Sequence, residues 1–157
     1  MYNRLGDDAL LRGEETEAML QYTAAVSEAR GSVKGNYNLA MLQMGLTGDL
    51  VKARDHFNYA SSYIPFPYAY LNWGNLEQSE YSPRQASVVL RKGTKAIGNP
   101  YVSNNLATAF LQLDEPDSAI LEMKEALRIL PENSAFYSNL GRIYMVYEKM
   151  PEAKSFL

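Results

Sequence analysis

The strongest constraint in this chain is an internal period. Alanine recurs at Ala18, Ala53, Ala86, Ala119 and Ala153, in steps of 35, 33, 33 and 34 residues. Four residues after each stands a bulky apolar side chain: Tyr22, Phe57, Leu90, Met123 and Leu157. Three further on comes a small residue, Ala25, Ala60, Gly93 or Ala126. Upstream of each alanine lies a large-small pair: Leu5-Gly6, Leu39-Ala40, Trp73-Gly74, Leu106-Ala107 and Leu140-Gly141. The pair precedes its alanine by 12 residues in every copy but the second, which carries one extra residue in the turn near Gly45–Gly48. A unit of this length cannot bury its apolar face alone, so the period predicts stacked copies of one supersecondary motif.

Within each copy the apolar residues recur every three or four positions, the period of an amphipathic helix. Small residues let two helices approach closely while large ones opposite fill the gap. First helices are expected near 2–12, 33–46, 67–79, 101–113 and 134–147. Second helices are expected near 14–30, 49–63, 83–97, 116–130 and from 151 onward. Prolines respect these limits: Pro65, Pro67, Pro100 and Pro131 lie between copies, and Pro83, Pro116 and Pro151 open second helices, where a missing N–H costs little. Ser82-Pro83-Arg84-Gln85 has the spacing of a capping box. No strand-like alternation competes, so the predicted fold class is all-α.

The pattern resembles the tetratricopeptide repeat, in which an aromatic, Leu-Gly, Tyr, Ala-x3-Phe and Pro recur about every 34 residues. The last copy matches it best, with Tyr137, Leu140, Gly141, Tyr144 and Ala153; the fourth reads Leu106, Ala107, Phe110, Ala119, Met123, Ala126 and Pro131. The third departs most, with Glu77 in place of an aromatic and Gly98 in place of proline. The resemblance implies a right-handed α-solenoid of antiparallel helix pairs. It spans residues 1–157 as a single array, with repeats near 1–32, 33–66, 67–99, 100–133 and 134–157. Residue 2 already falls inside a first helix and residue 157 midway through a second, so the expectation is a segment of a longer protein.

Charge and composition narrow the function. Fifteen Lys and Arg against eighteen Asp and Glu give a net charge of −3, not the basic surplus of a nucleic-acid binder. The absence of cysteine removes disulfides, thiolate metal sites and cysteine nucleophiles. The single histidine, His56, cannot anchor an imidazole metal cluster and reads as a surface or half-buried helix position. Glu14, Glu15 and Glu17 stand at a helix start, where carboxylates complement the dipole. Gly35, Gly93 and Gly98 do not compose a phosphate loop. Neither catalytic residues, nor a metal, nor a cofactor is expected. No apolar run reaches the roughly 18 residues of a membrane span and no signal-peptide stretch opens the chain; the compartment stays unknown, cytoplasmic by default.

The face that carries a binding signal is the inner one, lined in this family by the first helices. Just before each large-small pair stand Arg4, Asn38, Asn72, Asn105 and Asn139. A side-chain amide donates and accepts, so stacked asparagines can pair with the backbone of an extended peptide whatever its side chains. The arrangement resembles the asparagine ladder in the repeats of the O-linked N-acetylglucosamine transferase. Asparagine here has a second use, bonding a neighbouring helix, and the sequence leaves both open. Around the column stand Met41, Asn75, Thr108 and Arg142 one turn away, and Tyr37, Leu71, Asn104 and Ser138 beside it. The carboxylate clamp of chaperone-binding repeats is not matched. Its positions read Asn3, Asp7, Asn38, Tyr68 and Asn72, or Leu71, Asn75, Asn105, Ala135 and Asn139, and lack the cations.

The expected function is therefore a protein-interaction scaffold that binds an extended protein or peptide segment in its concave groove. Two other readings stand beside it: an accessory domain that orients a substrate for a larger enzyme or membrane protein, and a homo-oligomer assembled through exposed repeat ends.

Overall fold

The computed structural model describes residues 1–148. Among them are nine α-helices and no strand: α1 Tyr2–Leu11, α2 Glu15–Glu28, α3 Val33–Leu42, α4 Leu50–Tyr63, α5 Pro67–Glu80, α6 Pro83–Ile97, α7 Pro100–Gln112, α8 Pro116–Ile129 and α9 Ser134–Glu148. Odd-numbered helices are the expected first helices and even-numbered ones the second. The second helix expected from 151, with Ala153 and Leu157, lies outside the described residues. The chain divides into two compact units, Met1–Ala69 and the part from Tyr70 onward.

In the first unit α1 packs on α2, α2 on α3 and α3 on α4. Gly6 lies directly under the fully buried Tyr22 ring; a Cβ at Gly6 would stand 2.7 Å from it. Ala9, Ala18, Tyr22, Leu39 and Leu42 form one buried cluster across three helices, with Met19 and Val26 packed against it. Leu5 is the exception among the paired large residues of α1, α3, α5 and α7, being 39% exposed. Glu15 and Glu17 occupy the first turn of α2, as their sequence position suggested, while Glu14 pairs with Arg12 at 2.7 Å.

The extra residue of the second repeat has a definite structural outcome. The first helix does not run on as α-helix to 46: α3 ends at Leu42 and continues as a π-helical turn, Gln43–Thr47. A π turn absorbs one added residue without breaking the helix. In three repeats the N–H that opens the second helix reaches back five residues, Glu14 to Ala9, Ser82 to Glu77 and Glu115 to Phe110; in the second repeat Asp49 reaches back six, to Gln43. Gly48 then turns the chain at φ 66°, a left-handed conformation that glycine adopts without steric cost.

In the second unit the same large-on-small packing recurs. A Cβ at Gly74 would lie 2.5 Å from the fully buried Leu90 side chain, and one at Gly93 would lie 2.8 Å from Tyr70. Helix α7 packs on α6 and α8, and α8 on α9. Leu106, Ala107, Ala119 and Met123 are fully buried between α7 and α8. Pro83, Pro100 and Pro116 all open helices, and the Ser82 hydroxyl caps α6 by accepting from the Gln85 N–H at 3.2 Å.

Candidate functional site

The asparagine positions do not behave alike, and in the second unit they bond to one another. The Asn139 amide on α9 donates to Asn104 Oδ1 on α7 at 2.8 Å. Asn104 donates to Asn105 Oδ1 at 3.1 Å, and Asn105 donates to Asn75 Oδ1 on α5 at 3.0 Å. Three first helices are thus tied by one directional chain of amides. Each side-chain amide offers two N–H donors and two lone pairs, and the inner members spend one of each on the chain. The Asn75 end retains its donors and the Asn139 end its carbonyl lone pairs, so the chain has a donor end and an acceptor end. Asn75 is exposed, while Asn104, Asn105 and Asn139 are half-buried.

The remaining predicted residues of this unit flank the chain on the first helices. Leu71 and Asn72 on α5 are half-buried, and Asn72 is engaged in an interaction of its own. Thr108 turns its hydroxyl back onto the Asn104 carbonyl at 3.2 Å, and Arg142 on α9 is exposed. Sequence reasoning missed Gln78 and Gln112, whose side chains bond at 2.8 Å and give α5 and α7 a second amide cross-link. Their separation of 34 residues, close to the repeat step, was the available signal.

In the first unit Asn38 belongs to a different network. The buried Tyr22 hydroxyl donates to Asp7 Oδ1 at 2.6 Å, Asp7 pairs with Lys34, and the Asn38 amide bonds the Tyr22 hydroxyl oxygen. Burial, then the bond to the Asp7 carboxylate, push the Tyr22 phenol well above its ordinary pKa. Burial alone would raise Asp7, but the Lys34 and Tyr22 hydrogen bonds outweigh it and hold its carboxyl low. Tyr37 packs its ring edge-on against Phe66 at 5.2 Å and tilted against Phe57 at 6.2 Å, and Met41 is exposed on the same helix. Lys34 and Asn3 are also committed, Asn3 to the Ser32 hydroxyl at 3.0 Å.

His56 is half-buried and its Nδ1 lies 2.9 Å from Asn36 Oδ1. Asn36, fully buried, donates to the Arg30 and Ser32 carbonyls, so this pair ties α4 to the loop before α3. Among the described residues no group of three or more histidine, cysteine, aspartate or glutamate side chains is placed to hold a metal ion. Among them, too, no helix is long and apolar enough to cross a membrane.

No model of a protein family matches the sequence, and no curated protein matches it. Solved structures do match. MamA of Desulfovibrio magneticus RS-1 superposes over 98% of this chain and 88% of its own, with a TM-score of 0.75 at 18% identity. YrrB, described as a TPR protein with an unusual peptide-binding site, matches over 97% of this chain and 79% of its own, with a TM-score of 0.73 at 15% identity. The fold is that of the tetratricopeptide-repeat solenoid. PilF of Pseudomonas aeruginosa matches it too, over 98% of this chain and 71% of its own, with a TM-score of 0.72 at 18% identity. At these identities the tetratricopeptide-repeat likeness rests on helix placement and not on shared site residues.

Proposed function

We propose that this chain is a tetratricopeptide-repeat interaction module whose first-helix face in the second unit holds an extended segment of another protein. The observation that carries the reading is the amide chain from Asn139 through Asn104 and Asn105 to Asn75. Hydrogen-bonded amides polarise one another, so a chain with one donor end and one acceptor end is a better partner for backbone groups than isolated asparagines are. An extended peptide presents one N–H and one C=O per residue, and the uncommitted capacity of the four amides matches both. Leu71 and Arg142 at the flanks add an apolar contact and a cation. That YrrB, with the same fold, has a peptide-binding site supports the same use here.

The test separates backbone gripping from helix bonding. Asn75→Ala with Asn105→Ala removes two links, and each neutral hydrogen bond contributes about 0.5–1.5 kcal/mol. The two lost links should bring the melt somewhat earlier, and peptides recovered by display against the parent protein should bind the double variant several-fold more weakly, whatever their side chains, at a temperature where circular dichroism shows it fully folded. Unchanged affinity beside an earlier melt would mean that the amides only join helices.

A further inference from the structure

The charge of this protein is not evenly spread. Helix α6, Pro83–Ile97, carries Arg84, Arg91, Lys92 and Lys95 and no acidic residue. With a net charge of −3 for the whole chain, everything outside α6 sums to −3 − 4 = −7. All four cations are exposed and line one groove of about 390 Å³ between α6 and the end of α7. A second depression of about 340 Å³ also has Arg91 and Lys95 on its wall, facing Glu122, whose carboxylate interacts with Arg91.

Helix stability does not explain this stripe. Lys95 in the last turn suits the helix dipole, but Arg84 sits in the first turn, where a cation is disfavoured. Arg91 is held over the Phe110 ring at 5.1 Å, which fixes its guanidinium at the groove. Between the charges the groove is apolar: Val88 is 55% exposed and Leu113 half-buried. Among the described residues Glu115 is the one carboxylate on this lining.

We propose that this groove is a second docking surface, separate from the amide chain, and that its occupant is an acidic protein segment bearing an apolar side chain. The four cations would pair with its carboxylates while Val88 and Leu113 take the apolar group. A nucleic acid fits less well, because its phosphates repeat at a fixed spacing along the strand, whereas a peptide can set carboxylates against the cations and an apolar side chain against Val88 and Leu113; Glu115 repels either anion alike.

The experiment uses the whole chain and a fluorescein-labelled peptide of alternating glutamate and leucine, read by anisotropy at low salt and at increasing salt. The control peptide has glutamine for every glutamate. The protein variant is Arg84→Glu with Lys95→Glu; both side chains are exposed, so folding should be kept, as circular dichroism will verify. The parent should bind the acidic peptide with salt-sensitive affinity, and the variant should lose about tenfold or more. Asn75→Ala with Asn105→Ala should bind this peptide like the parent even if it fails the test of the first-helix face. The proposal is overturned if the parent does not bind, if the glutamine peptide binds equally, or if the folded charge variant keeps its affinity. Tighter binding of a single-stranded oligonucleotide of equal charge would overturn it in favour of nucleic acid.

Discussion

The Trp73 indole donates its N–H to Glu77 Oε1 at 2.7 Å, one helical turn away and out of reach of solvent. Glu77 is 1% exposed at the position where the third repeat departs from the usual aromatic. The departure is therefore local compensation: the large member of this large-small pair is tryptophan, whose N–H needs a partner once buried, and Glu77 supplies it. Lys92 on α6 stands over the same indole at 5.9 Å.

Removing that acceptor should be expensive. Glu77→Ala leaves a buried N–H without its partner and should lower unfolding free energy by about 1–3 kcal/mol, whereas Glu77→Gln keeps an acceptor oxygen and should cost less. Urea denaturation of both variants measures the difference, and equal losses would show that the indole bond is not what Glu77 contributes.

The contact of Gly74 with Leu90 can be tested by changing the sign of one substitution. In the parent, Gly74→Ala places a methyl against Leu90 and should destabilise, since overpacking costs about 1–3 kcal/mol against a helix-propensity gain of at most ~1 kcal/mol. In a Leu90→Ala background the space is open, and the same change should stabilise. A double-mutant cycle reads this as a coupling between the two sites; additivity would contradict the packing.

The π turn should tolerate the loss of its added residue. Leu46 is exposed and Gly45 faces open space, so deleting Leu46 should restore the shorter turn of the other repeats with a change of about 0.5 kcal/mol or less, the range of surface substitutions. Deleting Ala109 in α7 instead rotates every later core residue of that helix by about 100° and should abolish cooperative unfolding. Thermal melts of the two deletions suffice.

Acid should weaken the first unit through His56. Burial is the leading cause that lowers this imidazole below its ordinary value, with nearby Lys52 adding to it and Asp55 opposing. The unfolded chain therefore binds the proton more readily than the folded one. Stability is full above the unfolded value of about 6.5 and declines as pH falls from there through the lower folded value. Urea titrations at pH 7.5 and at pH 5.5 should show this decline in the parent and a smaller one in His56→Gln. Equal slopes would remove His56 from the account.

What was legible in the sequence was whatever repeats or is local to one helix. The alanine steps and large-small pairs located nine helices within a few residues, because a pattern of apolar side chains that must be buried recurs wherever the same pair of helices is built. The extra residue of the second repeat was visible too, but not its form, since a longer loop would satisfy the same spacing. The diagonal bonds from Asn105 to Asn75 and from Asn139 to Asn104 join residues 30 and 35 apart. Equal spacing had suggested straight rungs. Which amide meets which depends on how far each helix is rotated about its axis, and that rotation is decided by core packing such as Gly74 against Leu90. Asn38 shows the same division: its place in the column was readable, but its use, bonding the Tyr22 hydroxyl, depends on a phenol carried in from α2. Hydrophobic burial has a period that sequence displays, whereas a hydrogen bond needs two atoms within about 3 Å, and only the packed helices bring them there.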